Sequence, residues 1–358
     1  MTSIDAGQKH AFCWPVRFSN RVDIILMYIV RFLSALALAA IVLSGTASAG
    51  PALLMDAESG KVFYAHEQDR PWHPASTTKL MTAYLTFEAL KTGKLQLSDA
   101  VLQSERSIKE PPSKIGYPVG IGMSIELALQ SLIIKSANDV AVMLAEKIGG
   151  SVEGFSARMN RKAKALGMKN THYVNPNGLH NVLQVTTARD LALLTQALWR
   201  DFPEHRARFS RIYMKIGRRK LRSYNSLLRT FEGTDGMKTG FVCASGYNIV
   251  ASATRDGRRL IAVVLGARTL QKRAARAKSL LSYGFEYFDW KVLLAVSSSD
   301  QMLANLPVSN GEATGPTDLR PVVCRPRRRS VRARDKRRLK NARKYKKKRS
   351  KRRKKRGG

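Results

Sequence analysis

The sequence predicts an α/β protein of the α+β type, in which a block of helices packs on an antiparallel sheet. Three observations point there. Short apolar runs come in adjacent pairs at both ends of the central region, a long block of helical periodicity separates the pairs, and one more helical segment follows. Neighbouring runs joined by tight turns pair antiparallel, whereas a parallel sheet needs a crossover between its strands.

The elements follow in chain order. Ala52 to Met55 and Lys61 to Tyr64 are strand-like and flank the turn residues Glu58-Ser59-Gly60. A loop with Pro71 and Pro74 leads into Thr77 to Leu90, whose apolar residues recur at helical spacing, with Gly93 as a C-cap. Ile125 to Lys135 and Val140 to Ile148 are apolar helical stretches, the second stopped by Gly149-Gly150. Val152 to Leu166 is amphipathic and ends at Gly167. Asn175-Pro176-Asn177-Gly178 is a loop by composition, and Thr186 or Thr187 caps a helix running to Trp199. Tyr247 to Thr254 and Leu260 to Leu265 are β-rich and joined by Arg255-Asp256-Gly257, a hairpin signal. Gln271 to Phe288 returns to helical spacing, and residues 291–324, with Ser, Pro and Gly and little periodicity, are expected to be a linker.

Charge divides the chain of 358 residues, whose formal net charge is +37. Arg325 to Gly358 holds 22 Lys/Arg and one acid, Asp335, so this tail supplies +21 of the total. So dense a run of like charge repels itself and stays solvated. In a cytosolic protein it would suggest nucleic acid, but the N-terminus argues against that partner. Arg31, the apolar run Phe32 to Ser44 and Ala47-Ser48-Ala49 form a signal segment, residues 1–49, with cleavage expected near Gly50. Met27 is the expected true start, and an uncleaved anchor from Ile24 to Leu43 is the alternative. The tail of an exported, periplasmic or envelope-associated protein would instead meet anionic envelope polymers or lipid headgroups. Cys243 and Cys324 could pair, but nothing requires it, and a buried Cys243 acting as a small hydrophobe is the expectation. Six scattered His and no C-x-x-C predict no metal site and no cofactor.

Three short strings carry chemistry. Ser76-Thr77-Thr78-Lys79 places a hydroxyl and an amine on one face at a helix start. Serine needs an adjacent base, and a lysine serves if burial or positive charge lowers its pKa. Free N–H groups at a helix start can also stabilise an oxyanion. Ser136-Ala137-Asn138 lies where two apolar helical runs must turn, and Lys238-Thr239-Gly240 precedes a β-rich run. Each of these two strings has a decoy. Lys91-Thr92-Gly93 reads as helix-ending chemistry, and Ser223-Tyr224-Asn225 lies in a basic, weakly patterned stretch.

With these strings, Pro74-Ala75, Met55-Asp56-Ala57-Glu58-Ser59-Gly60, Asn175-Pro176-Asn177-Gly178-Leu179 and Asp235-Gly236-Met237 make residues 50–290 resemble the D-alanyl-D-alanine carboxypeptidases, low-molecular-mass penicillin-binding proteins. The resemblance implies a β-lactamase/transpeptidase-like fold with a five-stranded antiparallel sheet flanked by helices. It implies Ser76 as the acylated nucleophile, Lys79 as its base and Ser136 as proton relay. Asn138 would hold the substrate amide, Lys238, Thr239 and Gly240 the substrate and its carboxylate, and Arg273 that same carboxylate. The N–H groups of Ser76 and Phe241 would form the oxyanion hole. The implied partners are peptidoglycan stem peptides, with β-lactams as covalent inhibitors. A DD-endopeptidase, a β-lactamase and a non-catalytic polyanion-binding protein are the competing readings. Many family members carry a second all-β domain and a C-terminal amphipathic anchor; residues 291–358 are too short and polar for that pair.

Overall fold

The computed structural model describes residues 50–293 and 315–324; the expected signal segment and polybasic tail lie outside the described residues. Five antiparallel strands form the main sheet in the order β2-β1-β9-β8-β7. They are β1 (Ala52–Asp56), β2 (Val62–His66), β7 (Thr234–Val242), β8 (Gly246–Arg255) and β9 (Arg258–Ala267). β3 (Ala100–Leu102) pairs with β4 (Gly122–Ser124), and β5 (Tyr213–Ile216) with β6 (Arg219–Arg222), as separate two-stranded ribbons. Sequence periodicity missed both ribbons because each strand is only three or four residues long.

Both faces of the sheet are covered. Along β8 and β9, Val250, Ile261, Val263 and Leu265 enter the larger core, while Ile249, Ala251, Ala253, Leu260, Ala262 and Val264 enter a second. This strict alternation was invisible in the sequence because a strand buried on both faces is apolar at every position. The second core is closed by α6 (Leu270–Leu293) through Ala277, Leu280, Leu281 and Phe285. Asp256 and Gly257, at φ 49° and 76°, make the two-residue β8–β9 turn that the sequence predicts.

The larger core surrounds α1 (Lys79–Lys91), α2 (Ile125–Gln130), α3 (Asn138–Gly149), α4 (Val152–Ala165) and α5 (Ala188–Asp201). α1 is buried on almost every side, with Leu80, Met81, Ala83 and Phe87 all at 1% exposure or less. Its polar residues are therefore bonded internally: Thr82 donates to the Pro176 carbonyl at 2.6 Å and Thr86 to the Thr82 carbonyl at 2.8 Å. A π-helical turn, Ser131–Lys135, extends α2 and delivers the chain to Ser136.

Two expectations are corrected at the C-terminal end. Residues 315–324, expected to be linker, dock on the sheet: the Leu319 N–H donates to the Ala244 carbonyl at 2.8 Å and its side chain packs on the larger core. The short helix α7 (Arg320–Val323) follows, and Cys324 forms a disulfide with Cys243 in the β7–β8 turn, Cα to Cα 5.6 Å. Cys243 is thus not a lone buried thiol. The sequence separation of 81 hides the pairing, and Leu319 packs beside it against the larger core.

Closing so long a loop removes much unfolded-chain entropy, a stabilisation of about 2–4 kcal/mol. Cys324→Ser is expected to lower the melting temperature of the oxidised protein by several degrees, as reductant does in the wild type. Calorimetry with and without reductant checks this; an unchanged midpoint refutes it.

Candidate active site

The entry to the Ser76 turn is pinned to the sheet. Asn248 on β8 donates through Nδ2 to the carbonyls of His73 and Pro74, at 2.9 and 3.1 Å, and accepts from the Gly266 N–H at 3.0 Å. Ala75 takes a left-handed backbone, φ 49°, and a tight 3-10 turn, Ala75–Thr78, then feeds α1. Ser76 is left half-buried and accessible, while Lys79, one turn on, is 1% exposed.

Lys79 Nζ has three neighbours: Ser76 Oγ at 2.9 Å, Asn138 Oδ1 at 2.8 Å and the Asn177 carbonyl at 2.6 Å. Two are pure acceptors. When the amine is neutral, its two N–H groups satisfy these, and its lone pair faces the Ser76 hydroxyl. Burial, and next the charge of Lys238, hold the Lys79 ammonium well below its ordinary pKa, against smaller opposing effects of Glu110 and Asp139.

Ser136, at φ 59°, sits between the π-helical turn and α3. Lys238 on β7 donates to its Oγ at 2.8 Å and to the Thr239 carbonyl at 3.0 Å. Burial, then the charge of Arg273, lowers the Lys238 pKa to about 7. A cavity of about 340 Å³ opens onto Ser76, Ser136, Asn138, Thr239, Gly240, Phe241 and Arg273. Lys79 and Lys238 stand behind this wall rather than in it. Gly240 is forced by close approach: a Cβ there would meet Ser76 N at 2.9 Å and the Pro74 carbonyl at 3.0 Å. Arg273 closes one end of the cavity; its Nη2 donates to the Tyr224 carbonyl at 3.4 Å, and its buried Nε has no partner among the described residues. Burial lowers its pKa to about 10, so it stays cationic at neutral pH.

Several residues escaped the sequence reading. Asn138, expected to hold the substrate amide, lines the cavity; its Oδ1 accepts from Lys79 and its Nδ2 donates to the Pro111 carbonyl at 2.9 Å. Pro111 belongs to a loop that also holds Asn177, whose Nδ2 donates to Glu110 Oε2 at 2.9 Å. One loop therefore orients both acceptors of Lys79. Gly178, next to Asn177, packs so tightly that a Cβ would fall 1.9 Å from the Ala75 carbonyl. The rejected Ser223-Tyr224-Asn225 string is also nearby: Tyr224 lines the cavity, and Asn225 donates to the Gly236 carbonyl at 2.9 Å. Asn-Pro-Asn-Gly marked a loop in the sequence; nothing local marked Glu110 or Asn248. Among the described residues no cluster of His, Cys, Asp or Glu could hold a metal.

The sequence pattern of the D-alanyl-D-alanine carboxypeptidase family matches residues 39–269. The chain belongs to that family. It is 35% identical to the carboxypeptidase DacF of Bacillus subtilis over 73% of this chain and 67% of the relative. It is 39% identical to DacC of Escherichia coli, over 66% of this chain and 61% of that one, so it spans about three-fifths of that relative's length. Penicillin-binding protein 5 of Haemophilus influenzae superposes with a TM-score of 0.64 at 37% identity, covering 66% of this chain and 71% of that one. Penicillin-binding protein D2 of Listeria monocytogenes superposes at 0.61 and 32% identity, covering 66% and 97%. The β-lactamase/transpeptidase-like expectation for the fold agrees with these structures and with the five-stranded antiparallel sheet.

Two outcomes test this geometry. Gly240→Ala should displace the Ser76 N–H and cut acylation roughly 100- to 1000-fold, the cost of losing one oxyanion donor; labelled penicillin uptake measures it. Glu110→Gln keeps an acceptor for Asn177 but removes a charge that favours the protonated form of Lys79. The Lys79 pKa should fall, and the acidic limb of the acylation rate should move to lower pH. A limb that stays in place excludes an electrostatic role for Glu110.

Proposed function

We propose that the protein is a serine-type D-Ala-D-Ala carboxypeptidase that removes the terminal D-alanine from peptidoglycan stem peptides. The observation that carries this reading is the environment of Lys79. Two fixed acceptors consume its N–H groups, so its lone pair can point only at Ser76 Oγ, 2.9 Å away. That is the arrangement a serine nucleophile needs for activation by an amine.

The steps follow from the geometry. The substrate enters along the outer edge of β7, which has no strand partner there among the described residues, and pairs with it as an added strand. Its terminal carboxylate goes to the Thr239 hydroxyl and the unpartnered Nε of Arg273. A carboxylate there favours the charged form of Lys238, which in turn favours neutral Lys79. Ser76 Oγ then attacks the penultimate carbonyl while Lys79 takes its proton. The oxyanion is held by the N–H groups of Ser76 and Phe241. Ser136, backed by Lys238, passes its proton to the leaving amine of D-alanine and is refilled by the proton that Lys79 took from Ser76, which leaves Lys79 neutral again. Water, with Lys79 again as base, hydrolyses the ester and frees Ser76.

The same site supports covalent inhibition by β-lactams, since the Listeria relative is described in a cefotaxime-bound form. The Cys243–Cys324 disulfide supports an exported, oxidising location in the periplasm or envelope, downstream of a signal segment at residues 1–49. Residues 50–290 form the catalytic domain on this reading, and the tail 325–358 holds the enzyme to anionic envelope material.

Purified protein should release D-alanine from a soluble pentapeptide and bind labelled penicillin, and Ser76→Ala should do neither. Wild-type protein that releases no D-alanine and takes up no penicillin would sink the reading.

A further inference from the structure

The body of the chain carries a second concentration of charge that catalysis does not use. Residues 205–231 contain nine Lys/Arg and no acid. Arg206 and Arg208 are engaged, by the Trp199 carbonyl and by Glu126, and Arg211 adds its charge beside Glu126. The cations of the β5–β6 ribbon are not. Lys215, Arg218, Arg219 and Lys220 are exposed and make no ion pair among the described residues. Lys220 and Arg222 cover the ring of Tyr213, at 4.0 and 5.6 Å.

The ribbon is held against the site. Met214 is buried, and Ile216 and Leu221 pack inward on the larger core. Between ribbon and body lies a depression of about 120 Å³ lined by Lys114, Ile115, Lys135, Ile216, Arg219 and Leu221, with three cations and no acid. Asp139, bonded to Ile115 of the lining, is fully buried and accepts from the N–H groups of Ile115, Gly116 and Val140. Lys135 immediately precedes Ser136, and its Nζ donates to the Tyr224 hydroxyl at 3.2 Å. Tyr224 lines the catalytic cavity. The chain from Arg219 to Tyr224 is five residues long, at most roughly 17 Å.

We propose that this depression and the exposed ribbon beside it form a second subsite, which holds carboxylates on the neighbouring part of an anionic, polymeric substrate while one stem peptide occupies the cavity. The inference rests on the peptidoglycan reading and names its polymeric form as the preferred substrate. A polymer bearing many stem peptides brings the carboxylates of neighbouring stems to the subsite while one stem occupies the cavity. An anionic lipid surface fits less well. The ribbon tip, Gly217-Arg218-Arg219, offers no apolar side chain to insert, and the exposed rings of Tyr213 and Tyr224 are covered by cations.

The test is a full-length variant with Arg218→Glu, Arg219→Glu and Lys220→Glu, beside the three corresponding Gln substitutions. D-Alanine release is followed from a soluble acetylated pentapeptide and from insoluble peptidoglycan, at low and high salt. Three lost surface charge contacts predict a KM for the polymer raised roughly ten-fold at low salt, with kcat and the pentapeptide kinetics unchanged. The Gln variant should fall between, and high salt should erase the difference. An unchanged polymer KM overturns the proposal, as does an equal loss on both substrates, which would signal damage to the cavity. Loss of binding to anionic phospholipid vesicles with intact polymer kinetics would assign the surface to lipid and also overturn it. If the wild type cleaves neither substrate, the catalytic reading falls while the subsite stays testable. Co-sedimentation of Ser76→Ala protein with insoluble peptidoglycan, with and without the Glu substitutions, then decides: weaker sedimentation supports the subsite and equal sedimentation refutes it.

Discussion

A lysine side chain with 1% exposure, placed one helical turn from a serine, is the constraint on which the rest depends. Its amine costs free energy to bury in charged form, and its N–H groups cost free energy to leave unpaired. The fold meets both demands with the same atoms. Asn138 and Asn177 each supply one acceptor, and the apolar surroundings of α1 depress the pKa. Neutral Lys79 is then the comfortable form, with its one free electron pair turned toward Ser76. The chemistry is stored in a packing problem.

Much of the neighbouring architecture keeps that solution in place. The Pro111 carbonyl fixes which end of the Asn138 amide faces Lys79, and Glu110 fixes the side chain of Asn177. Asn248 ties the chain ahead of Ser76 to β8, and Gly240 lets β7 come within reach of the Ser76 N–H. Lys238 and Arg273 then add positive charge behind and beside the cavity, each with a pKa lowered by burial. Positive charge on Lys238 and Arg273 is mutually repulsive and disfavours a proton on Lys79. An anionic ligand relieves that repulsion, so the site is electrostatically incomplete without one.

The sequence was most legible where local chemistry and tertiary role coincide. The β8–β9 turn, the helix-ending glycines and the Ser76 to Lys79 spacing each depend on neighbours within four residues. It was misleading where they part. Ser223-Tyr224-Asn225 was set aside as a decoy, and it does not supply the serine beside Lys238; yet Tyr224 lines the cavity because β6 ends there. Cys243 read as a small hydrophobe because its partner lies 81 residues away. The short ribbons β3–β4 and β5–β6 were missed because strands of three or four residues are too short to register as a period.

By itself the sequence determined the β1–β2 and β8–β9 hairpins with the helical block between them, singled out Ser76, Lys79, Ser136 and Lys238 as a set, and separated a moderately basic body from a strongly basic tail. These are properties of residue type and near spacing, which backbone periodicity and side-chain chemistry dictate directly. Only the tertiary structure decided that Asn138 faces Lys79, that Glu110 and Pro111 orient the acceptors, that the segment at 315–324 is clamped to the β7–β8 turn, and that the ribbon cations lie beside the cavity. Each of these brings together groups distant in sequence. The apolar burial that joins them is non-directional and leaves no local trace in the chain.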